Sequence, residues 1–332
     1  MKIPQSLTIR TFAVIAASVI IYAGVAVFVG WEGLRTEFLK FPPRYLAPLT
    51  LLTISNYVLR YWRWDIYLRS EKIFLPVKES IGLYFATYLM VITPGKVGEI
   101  FKAGILRERH GVNLSIGLPI ILAERIYDFL AVLTLAVAGV FYWPGSMTGL
   151  TTGLITAAGI PVLLIIFQAR SVRIRLVRKV ASSPLLARHQ IGIDEASEAL
   201  SRLLGLKMAG FSLVLSVLAW LAECLGLWLV CRGLDFPIPV GQSLFIYAAG
   251  TIVGSLSFLP GGLGGTEATI IWLLQSLHMA KATAATAALL IRLFTLWLAV
   301  LVGLAFFFGF RQQLKPKQSA HPQDSAPTDC HY

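Results

Sequence analysis

The sequence predicts an all-α integral membrane protein, an inverted-repeat helical bundle with about six full spans and two broken re-entrant helical hairpins. Three observations predict it. First, 56% of the 332 residues are hydrophobic and only 14% charged, with a mean hydropathy of +0.72. Several apolar runs reach the ~20 residues that cross a hydrocarbon core of ~30 Å as helix. Second, a Pro-Gly motif ending in glutamate occurs twice, each time closing an apolar run. The copies are Pro94-Gly95-Lys96-Val97-Gly98-Glu99 after Leu83 to Ile92, and Pro260-Gly261-Gly262-Leu263-Gly264-Gly265-Thr266-Glu267 after Leu244 to Leu259. Third, an arginine follows each glutamate at a matched distance, Arg125 after 26 residues and Arg292 after 25.

The elements follow in order. Lys2 and Arg10 precede an apolar run from Thr11 to Gly30. It is longer than the ~7–15 residues of a secretory core and has no convincing small-residue cleavage site, so it reads as an uncleaved first span. Trp31 closes it with a ring suited to the interface. The second span runs from about Tyr45 to Trp62 and ends in Arg60-Tyr61-Trp62-Arg63-Trp64. Aromatics interleaved with arginines suit the cytoplasmic headgroup layer as anchors, or as a grip on a lipid headgroup. From Lys78 to about His110 comes the first interrupted segment, each limb too short to span. Leu114 to about Trp143 is a long span carrying Glu124, Arg125 and Asp128, and Trp143-Pro144-Gly145 turns the chain. Leu150 to Phe167 spans again and opens onto a basic stretch with Arg170, Arg173, Arg175, Arg178, Lys179 and Arg188. Met208 to Cys231 crosses with Glu223 inside it. Val240 to about Met279 holds the second interruption, and Ala282 to Phe310 is the last span. The polar residues beyond Arg311 have the composition of a disordered tail.

Charge assigns the sides. With both termini in the cytoplasm, Arg35, Lys40, Arg44, Arg232 and Lys281 fall outside, and Lys96, Arg125 and Arg292 lie at membrane depth. All other Lys and Arg, out of 29, fall inside, as the positive-inside rule requires of a cell-membrane protein. The halves then run oppositely: 1–147 is the first repeat, 148–315 the second, inverted one, and 316–332 the tail. Reading both hairpins as full spans instead would put Arg107 and Arg109 outside and weaken the bias. The net charge of +12 is explained by this loop clustering, which excludes nucleic acid as partner. Cys224, Cys231 and Cys330 form no disulfide framework or metal spacing, and the histidines His110, His189, His278, His321 and His331 form none either. No nucleophile elbow, P-loop or dinucleotide fingerprint is present. The expectation is a non-enzyme without cofactor or metal.

Chemistry should sit at the two interruptions. Proline removes a donor and glycine lowers helix propensity, so each motif should break a helix inside lipid. The freed N–H and C=O groups survive only where protein or water surrounds them. Paired interruptions in two halves point to a transporter-type site. A charge at the centre of a membrane helix costs roughly 2.5–3.5 kcal/mol, so Lys96, Glu99, Glu124, Arg125, Asp128, Glu223, Glu267 and Arg292 should face inward and pair. Glu99 with Arg125, and Glu267 with Arg292, are the natural pairs. Asp128 lies one turn from Arg125 on the same face. The candidate substrate-binding set is Lys96, Glu99, Arg125, Asp128, Glu267 and Arg292. The candidate break and hinge residues are Pro94, Gly95, Gly98, Pro260, Gly261, Gly262, Gly264 and Gly265. For Glu124, Asp128 and Glu223 a structural ion pair is an equal reading, and the glycines also suit close helix approach.

Taken together, Thr93-Pro94-Gly95-Lys96-Val97-Gly98-Glu99, Ala123-Glu124-Arg125-Ile126-Tyr127-Asp128, Leu259-Pro260-Gly261-Gly262-Leu263-Gly264-Gly265-Thr266-Glu267 and Ile291-Arg292 resemble the lysylphosphatidylglycerol synthase transmembrane-region family. That family is also called the flippase-like domain family, and the resemblance covers roughly residues 10–310. It implies an integral membrane domain that moves or handles lipids. In the eponymous two-part proteins a separate cytoplasmic domain attaches lysine to phosphatidylglycerol and the membrane part flips the product. Here only a polar tail follows the last span, so the expectation is a stand-alone member without the synthase activity. The expected function is a flippase-like transporter for an anionic or phosphate-linked lipid headgroup, held in a polar cavity between the halves. The alternative is a non-transporting scaffold or lipid-delivery partner of a membrane enzyme.

Overall fold

The computed structural model describes residues 23–24, 27, 30–93, 99–144, 159, 162–163, 165–182, 186, 191–257 and 259–310. Most of the expected spans at 11–30 and 150–167, the residues Pro94, Gly95, Lys96 and Gly98, and the tail lie outside the described residues. Among the described residues the protein is helical and contains no strand.

Helix α1 covers Trp31–Lys40 and α2 covers Leu46–Ser70. The pair Pro42-Pro43 starts a short 3₁₀ turn before α2 and fixes its entry. At 25 residues α2 is about 37 Å long, enough to cross a bilayer. The first interrupted segment is α3 (Val77–Ala86), a 3₁₀ stretch (Thr87–Ile92) and α4 (Phe101–His110). Helix α4 ends because Gly111 takes φ 66°, its N–H bonding Arg107 and the next N–H reaching back to Leu106. Two residues later the Asn113 side chain caps α5 by accepting from Ser115 N–H at 3.3 Å. Helix α5 (Leu114–Val140) is buried around almost its whole circumference.

The basic stretch forms α6 (Arg170–Ala181), followed by α7 (Ile193–Leu203). Apolar residues of α7 pack beneath α5, while Arg202 grips the Glu71 carboxylate at the end of α2 with two nitrogens, at 3.1 and 2.6 Å. That bond raises the Arg202 guanidinium above its ordinary pKa. Helix α8 covers Leu206–Gly233. The second interrupted segment is α9 (Val240–Leu256), a 3₁₀ turn at Pro260–Gly262 and α10 (Gly265–Ser276). Last come α11 (Lys281–Arg292), a π-helical turn (Leu293–Trp297) and α12 (Leu298–Gly309). Leu206–Gly233 and Lys281–Gly309 are each long and apolar enough to cross a membrane. All four limbs of the interrupted segments are shorter than the ~20 residues a straight crossing takes.

Packing runs reciprocally between the halves. The long helix α5 lies along α9, and α12 lies along α3 and the 3₁₀ stretch after it. Helices α2 and α8 pack on each other. At the first two contacts glycine lets backbones touch: a Cβ on Gly139 would overlap the backbone of Phe245 and Gly241, and one on Gly303 that of Tyr88 and Leu89. Two large apolar clusters dominate the described interior, and α5 joins them. Its early residues, such as Ile120 and Tyr127, enter a core with α2, α3 and α7. Its later ones, Ala131 to Leu135, enter a core with α8, α9 and α11.

Two expectations about charge are corrected here. Arg63 is 1% exposed and Trp64 is 0% exposed, so the end of the aromatic-arginine stretch is core, not headgroup anchor; only Trp62 of its tryptophans is exposed. Lys102, counted above among cytoplasmic residues, is buried in the protein. Each has a carboxylate partner on α5, and that offsets the cost of burying it.

Candidate functional site

Three helices meet at the first break, and α5 supplies two of the acids. Glu99, the first described residue after the break, is buried and accepts from Arg125 Nη2. The same nitrogen lies 3.7 Å from Asp128 Oδ2, one turn further along α5. Asp128 also faces α2, where Arg63 Nη1 approaches at 2.9 Å and Arg60 donates to Oδ2. Lys102, one turn after Glu99, pairs with Glu124 at 3.2 Å. Its ammonium sits 4.4 Å from the Tyr84 ring centre and 5.1 Å from that of Trp64, a cation–π arrangement that helps compensate a desolvated charge. Helices α2, α4 and α5 are therefore tied by ions inside an apolar shell.

The second break is built around Glu267. Gly261, Gly262 and Gly264 all have positive φ (62°, 68° and 82°), which a side chain would strain. The Gly264 N–H donates to Glu267 Oε2 at 2.7 Å, the acidic arm of a capping box at the start of α10. Glu267 Oε1 accepts from Arg292 Nε at 2.8 Å. Arg292 Nη2 reaches the Gly261 carbonyl at 2.5 Å. One guanidinium thus satisfies both the glutamate and a carbonyl freed by the break. The π-helical turn begins directly after Arg292, the kind of irregularity that recurs at functional positions.

A cavity of about 310 Å³ lies between the two breaks. Thr93, Glu99 and Arg125 line it from the first half, and Gly261, Gly262 and Arg292 from the second. Of the sequence-derived candidates it also gathers Asp128; Glu267 supports Arg292 from behind the wall, and Lys96 is outside the described residues. Among the described residues four cations (Arg60, Lys102, Arg125, Arg292) and four carboxylates (Glu99, Glu124, Asp128, Glu223) balance formally around it. Tyr247 donates to Glu223 at 2.6 Å. Two N–H donors on this wall, Arg60 Nε and Arg125 Nε, are buried and have no acceptor among the described residues. At its rim Phe129, Leu256 and Leu259 are exposed. Among the described residues no group of three or more His, Cys, Asp or Glu side chains is placed to hold a metal ion.

Sequence reasoning missed Asn56 and Lys102 as parts of this site, and gave Arg60 and Arg63 only as interface anchors or a grip on a lipid headgroup. A signal existed. Asn56, Arg60 and Arg63 recur at four and three residues, one polar stripe on an otherwise apolar helix. Lys102 follows Glu99 by three and so shares its side of α4.

The chain is similar in sequence to known membrane proteins. A UPF0104 membrane protein of Pyrococcus horikoshii is 25% identical over 311 residues, 84% of this chain and 92% of the relative. One of Methanothermobacter thermautotrophicus is 25% identical over 244 residues, 69% of this chain and 71% of its own. A third, of Methanocaldococcus jannaschii, is 20% identical over 227 residues, 67% and 93% respectively. The family model described as the lysylphosphatidylglycerol synthase TM region matches residues 14–303. This membrane protein therefore belongs to the lysylphosphatidylglycerol synthase transmembrane-region family.

Proposed function

We propose that the protein is a flippase-like lipid transporter, which carries a phosphate-linked headgroup through the cavity while the acyl chains stay in the bilayer. The observation that carries this is the convergence of Arg60 and Arg125 from the first half and Arg292 from the second on one cavity. A phosphate ester offers acceptor oxygens and a charge, and a guanidinium recognises both. The exposed apolar rim at Phe129, Leu256 and Leu259 suits lipid tails. The volume of about 310 Å³ suits a headgroup and not a whole lipid.

In this reading the chain crosses the cell membrane several times with both termini in the cytoplasm, and the interrupted segments are re-entrant hairpins of two inverted repeats. Three features support the repeat: the matched pairs Glu99–Arg125 and Glu267–Arg292, the reciprocal packing of α5 on α9 and of α12 on α3, and limbs too short to span. Repeats of this kind bring their broken helices together at the bilayer midplane, where ion and substrate sites form. Arg125 and Arg60 hold the phosphate, Glu99 and Asp128 set the charge balance, and the glycines of the second break expose backbone to the cavity.

The test is headgroup translocation in proteoliposomes, with anionic, zwitterionic and polyprenyl-phosphate lipids, for the native protein and Arg125→Gln. The expected result is movement of a phosphate-linked lipid that the variant loses. No movement of any lipid by folded protein would overturn the transporter reading in favour of a scaffold for a membrane enzyme.

A further inference from the structure

A second cleft, of about 440 Å³, lies between α6 and α7, away from the two breaks. Arg170, Arg173, Ser197, Glu198, Ser201 and Arg202 line it. Arg170 is the first residue of α6 and Arg173 lies one turn on, at the end of the helix whose dipole disfavours cations. The first turn has neither an acidic residue nor a side-chain cap to offset them. The positive-inside rule accounts for a basic stretch here, and not for two guanidinium groups set one turn apart against a cleft.

The three arginines are held differently. Arg202 grips Glu71 with two nitrogens, and Glu198, one turn before it, also stabilises its charge. Arg170 meets Asp194 at 3.0 Å, but the two side chains are 71% and 75% exposed, so solvent screens the pair and it is worth little. Arg173 bonds carbonyls: Nε donates to that of Ser197 at 3.2 Å and Nη1 to that of Gln168. Those bonds fix the guanidinium and leave its charge without a carboxylate partner among the described residues. Burial and the neighbouring Arg170 hold Arg173 below its ordinary pKa, the direction of a cation that lacks a counter-ion.

We propose that the cleft between α6 and α7 is an anion site, separate from the central cavity, which binds a phosphate group against Arg170 and Arg173. A phosphate supplies the counter-charge that Arg173 lacks and puts a negative group at the start of a helix. It also offers several acceptor oxygens, which two guanidinium groups can share. Ser201 offers a hydroxyl from the α7 side, and the carboxylate of Glu198 keeps the anion toward α6. The bound phosphate thereby joins α6 to α7, which Arg202 and Glu71 already tie to the end of α2. Its source is a lipid headgroup at the membrane surface or a free phosphate in solution. This goes beyond the transport reading, because the anion bound here braces the protein and is not carried.

The experiment is calorimetric titration of the purified full-length protein, in a maltoside detergent at fixed ionic strength, with dihexanoyl phosphatidic acid and with inorganic phosphate. All titrations use the Arg125→Gln background, which weakens the central cavity and leaves this cleft intact. Phosphatidic acid should bind saturably, and its affinity should fall at least tenfold in Arg170→Gln and in Arg173→Gln, the worth of about one charge-assisted hydrogen bond. Arg170 is exposed, so its replacement keeps the fold even if Arg173→Gln, which loses two carbonyl bonds, does not. Arg175→Gln removes an exposed charge of α6 that does not line the cleft, and it should bind like its parent. Inorganic phosphate bound as tightly as the lipid would uphold the site and assign it to a soluble anion, and much weaker phosphate would assign it to a headgroup. Equal weakening by Arg175→Gln would reduce the effect to diffuse attraction by a basic helix and overturn the site. Unchanged binding in Arg170→Gln, or no saturable binding by folded protein, would overturn it as well.

Discussion

The two glutamate–arginine pairs match in sequence and differ in what they hold. Arg292, with its side chain 9% exposed, spends Nε on Glu267 and Nη2 on the Gly261 carbonyl. Glu267 in turn accepts the Gly264 N–H. The second pair closes its own broken helix, like a staple. Arg125 is 28% exposed and directs one nitrogen at both Glu99 and Asp128, while its Nε has no acceptor among the described residues. The first pair therefore leaves hydrogen-bonding capacity unused among the described residues, where the second uses it on the backbone. A repeated motif can keep a contact between two side chains while that contact is closed on the backbone in one copy and left with spare capacity in the other.

The largest test of this difference is Arg292→Ala. It strands the Glu267 carboxylate in a buried position and frees the Gly261 carbonyl, so a loss of about 3–5 kcal/mol is expected, read as a lowered melting temperature in detergent. Arg292→Met combined with Glu267→Gln should recover most of it, because neither charge is then left alone. Native-like melting of Arg292→Ala would break the staple. Next come the glycines of the reciprocal helix contacts. Gly139→Ala and Gly303→Ala should each cost about 1–3 kcal/mol by forcing backbones apart, and two undisturbed melts would contradict the packing described for α5 on α9 and α12 on α3. Smaller still is Arg125→Gln, which keeps a donor for Glu99 and faces a polar cavity. Its stability should change by about 1 kcal/mol, while phosphate-headgroup binding falls at least tenfold. A variant that melts like the native protein and binds as well would place Arg125 with the structural residues.

Much of this was legible in the sequence, and the rest was not for identifiable reasons. The second break was legible because proline and glycine act locally on the backbone, while Pro94, Gly95 and Gly98 of the first lie outside the described residues. The pairs Glu99–Arg125 and Glu267–Arg292 were suggested by repetition alone, and the structure brings both sets of side chains together. Arg60, Arg63 and Lys102 were not legible as interior residues. Near the end of an apolar run the positive-inside rule and a buried ion pair predict the same residue type, and only Asp128 and Glu124, far along the chain, decide between them. Asn56 carries no signal beyond its place in the polar stripe with Arg60 and Arg63.

The measurement that bears most directly on the central claim is photo-crosslinking with a phospholipid whose reactive group sits in the headgroup, followed by peptide mapping. The account predicts adducts on both cavity walls, in the segment around Tyr57 to Arg60 on α2 and in the segment from Thr251 to Gly262, and their loss in Arg125→Gln. Adducts confined to outward residues such as Leu51 or Val214, unchanged in that variant, would contradict it.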